Sequence, residues 1–242
     1  MGKCLFLRKG ETHTAPISVI LASDLAVGSS VYLMENGTAA EYLVVHQGLP
    51  SSMYNASCNG TWLLRKDIYS EQVWSDLSGN GFNTASISSY LRNSILPLFS
   101  PEIQSIIKKV KIPYCTGGSY GYEIKSGSWG YDCKIFLLSG YEIGFTTGMN
   151  SSTPVDGSKL SYFIVGNTTN AISKRIAYLN GTAKNWWTRS PYTSNGSVTW
   201  SVSSGGSSTT NTSSGAMGVR PALILPSNAL FDKNTLILKG VA

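Results

Sequence analysis

Charge is scarce in this chain of 242 residues. Asp, Glu, Lys and Arg together make up 13% of the sequence, which is about half the share of an average soluble domain. Hydrophobic residues are at an ordinary 42% and aromatic residues reach 11%, so the chain has enough apolar area to fold and is not a charged, disordered segment. No apolar run approaches the roughly 20 residues that a membrane-spanning helix needs, and we therefore expect no membrane insertion.

A cluster of positive charge is also missing. The 19 Lys and Arg residues exceed the 13 Asp and Glu residues and give a net charge of +6, but they occur in small groups along the whole chain. A protein that binds nucleic acid concentrates basic side chains on one face, where they contact phosphates. Scattered charge favours solubility instead, and we predict no nucleic-acid partner.

Residues that bind metals or perform nucleophilic chemistry are few. The four cysteines form no CxxC pair and show no ligand spacing with the two histidines, His13 and His46, so the sequence predicts neither a metal site nor a cofactor. Glu142 and Asp156 are isolated in the sequence, whereas calcium requires several oxygen ligands. His46 lies in an apolar strand pattern and is expected to be a core histidine with satisfied hydrogen bonds.

The first 16 residues form a leader that ends at Pro16. Its apolar stretch is too short for a secretion signal, and we therefore expect the cysteines to be reduced thiols, with a disulfide between Cys115 and Cys133 left open as the alternative. The leader itself is either a frayed terminus or a docking peptide that attaches to a partner.

Hydrophobic periodicity in residues 17–242 predicts a single α+β domain. Two alternating runs joined by Asn36-Gly37 indicate a β-hairpin, and residues 61–64 continue the strand pattern. Two packing helices follow, the second capped by Ser100 with Pro101 at its first position. Their apolar faces consist of Ile87, Leu91, Ile95 and Leu98 in the first helix and of Ile103, Ile106, Ile107 and Val110 in the second.

The segment from residue 192 to residue 215 has an unusual composition. It contains no charged residue, and 20 of its 24 residues are Ser, Thr, Asn or Gly, which is typical of a flexible linker. However, Val198, Trp200 and Val202 alternate with short polar residues, as in a strand with one apolar face. We therefore predict a neutral, hydroxyl-rich binding surface on a rigid scaffold, in which Tyr192 and Trp200 supply aromatic contacts.

The motifs on either side of this segment resemble those of a known family. Trp186-Trp187-x-Arg189-Ser190-Pro191 precedes the segment, and Gly218-Val219-Arg220-Pro221-Ala222-Leu223 follows it. This pair is similar to the C-terminal signature of a domain family of Firmicutes and their phages, whose members include the variable proteins of diversity-generating retroelements. Residues 41–46, 60–68 and 134–142 also resemble this family, so the resemblance covers most of the chain.

The resemblance implies a C-type-lectin-like fold related to the formylglycine-generating enzyme. It also implies that an error-prone reverse transcriptase rewrites adenines in the codons of a variable region, about residues 188–217. Trp186 and Trp187 are then expected in the core, and Arg189 and Arg220 are expected to be hydrogen-bonded beneath the variable surface. The residues expected to form the ligand-binding surface are Thr188, Tyr192, Thr193, Ser194, Asn195, Ser197, Thr199, Trp200, Ser201, Ser203, Ser204, Ser207, Ser208, Thr209, Thr210, Asn211, Thr212, Ser214 and Met217.

By this resemblance, the protein is expected to be a phage virion protein and not an enzyme. It would be made in the bacterial cytoplasm, lie on the phage tail or capsid surface, and bind a protein or glycan receptor on the bacterial host. Residues 1–16 resemble leaders of structural proteins from gut Firmicutes phages and are expected to attach the domain to other virion proteins. Phage fibres and tips are often trimeric, so the class, rather than any residue, suggests a homotrimer.

Two alternatives remain open at this point. The first is a structural decoration protein of the virion without a receptor, which leaves the polar segment unexplained. The second is an enzyme of the formylglycine-generating type, which needs a pair of reactive cysteines. None of Cys4, Cys58, Cys115 and Cys133 lies between the two C-terminal motifs, and this spacing disfavours the enzyme.

Overall fold

The computed structural model describes residues 18–118, 122–147 and 150–242. The leader, residues 1–16, and its predicted attachment role lie outside the described residues. The strands, in chain order, are β1 (Val19–Leu21), β2 (Ser30–Glu35), β3 (Thr38–Gly48), β4 (Gly60–Arg65), β5 (Ser70–Val73), β6 (Val110–Ile112), β7 (Tyr114–Cys115), β8 (Ile124–Lys125), β9 (Tyr131–Cys133), β10 (Ile135–Phe136), β11 (Tyr178–Leu179), β12 (Thr182–Ala183), β13 (Trp186–Pro191), β14 (Val198–Val202), β15 (Ser208–Thr212), β16 (Ala216–Val219), β17 (Ala222–Leu225), β18 (Ala229–Asp232) and β19 (Leu238–Val241). The α-helices are α1 (Ser86–Tyr90), α2 (Pro101–Ile106) and α3 (Thr169–Ser173).

Strands dominate the structure, and the helices are short, so the α+β class is confirmed. A first sheet has the strand order β10-β17-β4-β3-β2, and a second sheet has the order β15-β14-β13-β16-β5. All pairs within these two sheets are antiparallel except β13 with β16. A smaller sheet, β1-β18-β19, joins β1 to two strands near the C-terminus.

The first sheet follows directly from local sequence signals. Asn36 and Gly37 have positive φ values of 47° and 79°, as a tight turn between two hairpin strands requires, and β2 pairs with β3 from Ser30 to Glu35. All four residues of β17 are buried, because this strand lies between β10 and β4 and is covered on both faces. The predicted hairpin and the strand at residues 61–64 are confirmed.

The two predicted helices differ in their outcome. The first helical segment begins at Ser86, changes from α to π geometry at Leu91 and ends in a 3₁₀ turn at Leu98. Ile87, Leu91 and Ile95 are fully buried in it, which confirms a packing helix. The 3₁₀ turn contains Pro97, which cannot donate a backbone hydrogen bond to continue the helix.

The second predicted helix is shorter than its apolar pattern. Ser100 caps α2 as expected, since its side chain accepts a hydrogen bond from the backbone of Ile103. However, α2 ends at Ile106, and Val110 lies in β6, where it pairs with Cys133 of β9. The prediction of a helix through Val110 is wrong, because the backbone of Val110–Ile112 pairs with β9 instead of continuing the helix.

The core is continuous between the two large sheets. Trp62 of β4 and Trp186 and Trp187 of β13 are fully buried in the same hydrophobic cluster, which confirms the predicted core position of the paired tryptophans. Cys58, Cys115 and Cys133 are free thiols, so the alternative of a Cys115–Cys133 disulfide is wrong. No helix in the described part of the chain is long and apolar enough to cross a membrane.

Candidate ligand-binding surface

The neutral segment folds into an ordered hairpin, which excludes a flexible linker. We define residues 192–215 as the polar hairpin. Its two strands, β14 and β15, pair from Val198 opposite Thr212 to Val202 opposite Ser208. β15 is the edge strand of the second sheet, so the hairpin presents one polar strand edge at the margin of the molecule.

The structure divides the 19 predicted surface positions into three groups. Six are exposed, namely Ser194, Asn195, Ser197, Ser204, Thr212 and Ser214. Eight are half-buried, namely Tyr192, Ser203, Ser207, Ser208, Thr209, Thr210, Asn211 and Met217. Five are buried, namely Thr188, Thr193, Thr199, Trp200 and Ser201. The prediction of a surface position is wrong for these five residues.

The buried positions have a structural role instead. The hydroxyl of Thr188 donates to the carbonyl oxygen of Trp200 at 2.7 Å, and the hydroxyls of Thr199 and Ser213 are 2.8 Å apart. The indole of Trp200 packs against Phe145. Both faces of β14 are therefore covered, whereas its alternating pattern predicts only one covered face.

Arg189 ties the hairpin's neighbouring strand, β13, to three loops. Its Nε donates to the carbonyl oxygen of Pro113 at 2.9 Å, its Nη1 to that of Leu137 at 3.0 Å, and its Nη2 to that of Asp156 at 2.9 Å. The carboxylate of Glu142 accepts the two remaining donors at 2.5 and 2.7 Å. Every N–H of this buried guanidinium is thus paired, as a charge in a core requires.

A second buried carboxyl lies beside this ion pair. The hydroxyl of Ser190 is 2.8 Å from both side-chain oxygens of Asp156. Burial raises the pKa of Asp156 to about 7, although Arg189 and the Ser190 hydrogen bond oppose this shift. Sequence reasoning missed Glu142 and Asp156 as partners because both are isolated in the chain.

Arg175 holds the turn between β14 and β15. Its Nε donates to the carbonyl oxygen of Gly206 at 2.8 Å, and its Nη2 donates to Gly166 and to the side chain of Asn167, each at 2.8 Å. Gly206 has a φ of +86°, and a Cβ there would lie 2.1 Å from the carbonyl oxygen of Ile172. Sequence reasoning missed Arg175, which lies in an ordinary basic and apolar run.

Arg220 is buried beside Trp186 of the second sheet. Its guanidinium is 5.0 Å from the ring centre of Trp186, and its Nε donates to the carbonyl oxygen of Arg65 at 2.9 Å. Burial lowers the pKa of Arg220 to about 10, so it stays protonated at neutral pH. The predicted burial of Arg189 and Arg220 is confirmed. The predicted hydrogen bonding is confirmed in full for Arg189, but Nη1 of Arg220 is buried without a hydrogen-bond partner in the described part of the chain.

His46 only partly matches its prediction. Its Nδ1 lies 2.8 Å from the hydroxyl oxygen of Ser161, but its Nε2 is buried without a hydrogen-bond partner in the described part of the chain. The ring is half-buried, and burial lowers the pKa of His46. Across the described ranges, no group of three or more His, Cys, Asp or Glu side chains is arranged to hold a metal ion.

One region next to the hairpin was not predicted at all. The backbone amides of Trp74 and Ser75 donate to the carbonyl oxygen of Ser213 at 2.9 and 3.1 Å, and Gly79 donates to Gly196 at 2.7 Å. Residues 74–79 therefore lie alongside the polar hairpin and are hydrogen-bonded to it at both ends. No sequence motif marks this pairing, because the two segments are far apart in the chain.

A family model described as a domain of unknown function, DUF6273, matches residues 59–227. The matched region contains the complete second sheet, the polar hairpin and the three buried arginines. No curated protein and no solved structure matches the chain.

Proposed function

The chain belongs to the DUF6273 family, and from the surface that it carries we propose that it is a phage virion protein that binds a receptor on a bacterial host. The polar hairpin is the proposed receptor-binding surface. One observation carries the proposal: an uncharged, hydroxyl-rich edge strand is held in place on two packed sheets. Such positioned strands and loops are common sites of recognition.

The chemistry of the hairpin suits binding to varied ligands. Short hydroxyl and amide side chains donate or accept hydrogen bonds as a ligand requires. The absence of charge also avoids the cost of removing ions from water in a contact. Half-buried Tyr192 supports this surface by packing against Trp200.

We further propose a C-type-lectin-like fold in which the hairpin is diversified by a retroelement. A diversified surface needs positions that change without unfolding the domain. The six exposed positions meet this requirement, while the five buried ones pack or bond within the sheet and are expected to stay constant. A template copy in the neighbouring DNA that differs only at adenines of the exposed and half-buried codons supports this part; if no such copy exists, diversification is rejected.

The state of the described thiols weighs against the enzyme alternative. Burial raises the pKa of Cys58 to about 11 and that of Cys115 to about 12, and it also raises the pKa of Cys133. These thiols are therefore protonated at neutral pH, whereas a reactive cysteine is a thiolate. The proposed function assigns them to packing.

A charge substitution on the hairpin tests receptor binding. Ser204, Ser207 and Thr210 lie in the β14–β15 turn and in β15, and the side chains of these three residues make no hydrogen bond within the described structure. We expect a triple lysine variant to keep its fold and to lose at least about tenfold in binding to host cells, because three ammonium groups disrupt a neutral contact.

The matched control places three lysines at Ser89, Asn93 and Ser94, which are exposed on the first helical segment. This control is expected to bind host cells as the parent protein does. If the hairpin variant binds equally well, the receptor proposal fails and the alternative of a decoration protein is favoured.

A further inference from the structure

A shallow cleft of about 230 Å³ lies between the polar hairpin and the segment before α1. Residues 75–78 form one wall, and Ser197 with residues 212–214 form the other. Backbone hydrogen bonds from Trp74 and Ser75 to Ser213 join the walls at their base, and the hydroxyl oxygens of Ser78 and Ser197 are 3.1 Å apart. The cleft therefore has a defined shape on both sides.

The lining of this cleft combines three kinds of side chain. Its hydroxyl groups belong to Ser75, Ser78, Ser197, Thr212, Ser213 and Ser214. Leu77 adds an apolar side chain that is 69% exposed. Asp76 is the only charged residue among those that line the cleft.

Asp76 is positioned but lacks a cationic partner. The hydroxyl of Ser86 donates to its Oδ2 at 2.7 Å, and its backbone amide donates back to the Ser86 hydroxyl at 3.3 Å. No Lys or Arg of the described ranges forms an ion pair with Asp76. A fixed carboxylate with unpaired charge attracts a cation, since hydrogen bonds between ionised groups are stronger than neutral ones.

Building on the proposed function, we propose that this cleft binds an amino sugar, with the ammonium group on Asp76. The volume is below that of a site for a drug-sized ligand and suits one sugar ring. Ser75 and Ser213 are buried, so the hydroxyls that meet those of the sugar belong to the exposed residues Ser78, Ser197, Thr212 and Ser214. Leu77 covers the apolar face of the ring. The carboxylate distinguishes an amino sugar from a neutral one.

Asp76 lies outside residues 188–217, the region proposed to vary. The amine contact is therefore kept when the hairpin sequence changes. In this proposal the wall of residues 75–78 stays constant and binds the charged group of the ligand. The wall of Ser197 and residues 212–214 varies and contacts the other groups of the ligand.

Titration of the full chain with glucosamine, followed by NMR chemical shifts, tests the proposal. Glucosamine is expected to bind about two- to fivefold more tightly than glucose, because an exposed ion pair contributes only modestly, with shifts at residues 75–78. Asp76→Asn is expected to remove this preference, because the amide has no charge. The matched control is Asp24→Asn, since Asp24 is also exposed and also contacts a serine, Ser23, but lies outside the cleft. This variant is expected to keep the preference.

Three results would overturn the amino-sugar site. They are equal binding of glucose and glucosamine, an unchanged preference in Asp76→Asn, and equal binding of butylamine and glucosamine, which would mean that the hydroxyls contribute nothing. Raising the ionic strength is a test without a mutation, because salt screens an exposed ion pair. A preference that does not decrease with salt also contradicts the proposal.

The two proposals fail separately. The lysine variant at Ser204, Ser207 and Thr210 leaves the lining of the cleft intact, so its loss of host binding tests the receptor proposal while glucosamine binding is measured independently. If glucosamine shows no preference but host binding still depends on the hairpin, only the amino-sugar site is rejected.

Discussion

The first sheet and the polar hairpin are both well ordered, but different interactions hold them. In the first sheet, β17 is apolar and completely buried, and burial of apolar area stabilises it. In the hairpin, β15 consists only of Ser, Thr and Asn. Its turn is held by the guanidinium of Arg175, and β13 beside it is held by Arg189.

Because different interactions hold the two regions, the stability of the hairpin depends less on the identity of its exposed side chains than the stability of the first sheet depends on its buried ones. Apolar burial stabilises a strand but also dictates its side chains, since a polar residue in the core costs free energy. Buried arginines instead bond mostly to backbone carbonyl oxygens, which every residue type provides. A strand held through its backbone leaves its exposed side chains free to differ, as the proposed function requires.

The largest effect is expected from breaking the buried ion pair that ties β13, the strand beside the hairpin, to the loop after β10. Arg189→Met leaves Glu142 buried without a counter-charge, and removal of one partner of a buried pair typically costs about 3–5 kcal/mol. Unfolding in urea measures this loss of free energy.

The double variant Arg189→Met, Glu142→Leu is the control, because it removes both charges. It is expected to regain only part of the lost stability, because the carbonyl oxygens of Pro113, Leu137 and Asp156 still lose their donor. If the single variant is within about 1 kcal/mol of the parent protein, the ion pair does not stabilise the packing of β13 on the loop after β10.

A pair of alanine substitutions compares the two regions directly. Leu223→Ala in β17 creates a cavity at a fully buried position and should cost about 2–5 kcal/mol. Thr210→Ala in β15 changes a half-buried side chain and should alter the stability by no more than about 0.5 kcal/mol. If both variants lose the same free energy of unfolding, the first sheet and the polar hairpin do not differ in how they are stabilised.

A substitution at Arg175 tests whether the turn between β14 and β15 depends on the hydrogen bonds of the Arg175 guanidinium. Arg175→Lys keeps the charge but cannot reach both Gly206 and Gly166 in the same way, and a loss of about 1–3 kcal/mol is expected from unpaired buried groups. Hydrogen exchange should accelerate at residues 203–207 but not in β17. Faster exchange throughout both sheets would show that the turn is not an independent unit.

A further effect is a pH dependence of the stability that comes from Asp156. Its folded pKa of about 7 lies above the ordinary aspartate value of 3.8, so the folded state binds more protons between these values. Stability from this group is therefore present below about pH 4 and decreases as the pH rises towards 7, by at most about 1.4 kcal/mol per pH unit.

Asp156→Asn removes this titration while the amide oxygen still accepts from Ser190. Urea unfolding at several pH values should give a flatter curve for the variant across this range. Parallel curves for the two proteins would mean that Asp156 is ionised in the folded state throughout this range.

Local signals predicted the β2–β3 hairpin and the helix start at Ser100 correctly, because turns and caps depend on a few neighbouring residues. Apolar spacing wrongly extended α2 to Val110, since this spacing does not show that β9 pairs with Val110. Composition identified the polar hairpin but misplaced Thr199 and Ser201, because alternation does not show that the polar face of β14 is also covered.

The sequence by itself determined the α+β class and the location of an uncharged surface, because each depends on composition or on short-range periodicity. The core position of Trp186 and Trp187 came instead from the resemblance of the two C-terminal motifs to a known family. Only the tertiary structure decided which hairpin residues are exposed and which partners the arginines have. Arg189 and Glu142 are 47 residues apart in the chain, and the hydrogen bonds from Trp74 and Ser75 to Ser213 span an even longer separation. Contacts of this kind depend on how the two sheets pack, and no local pattern specifies that packing.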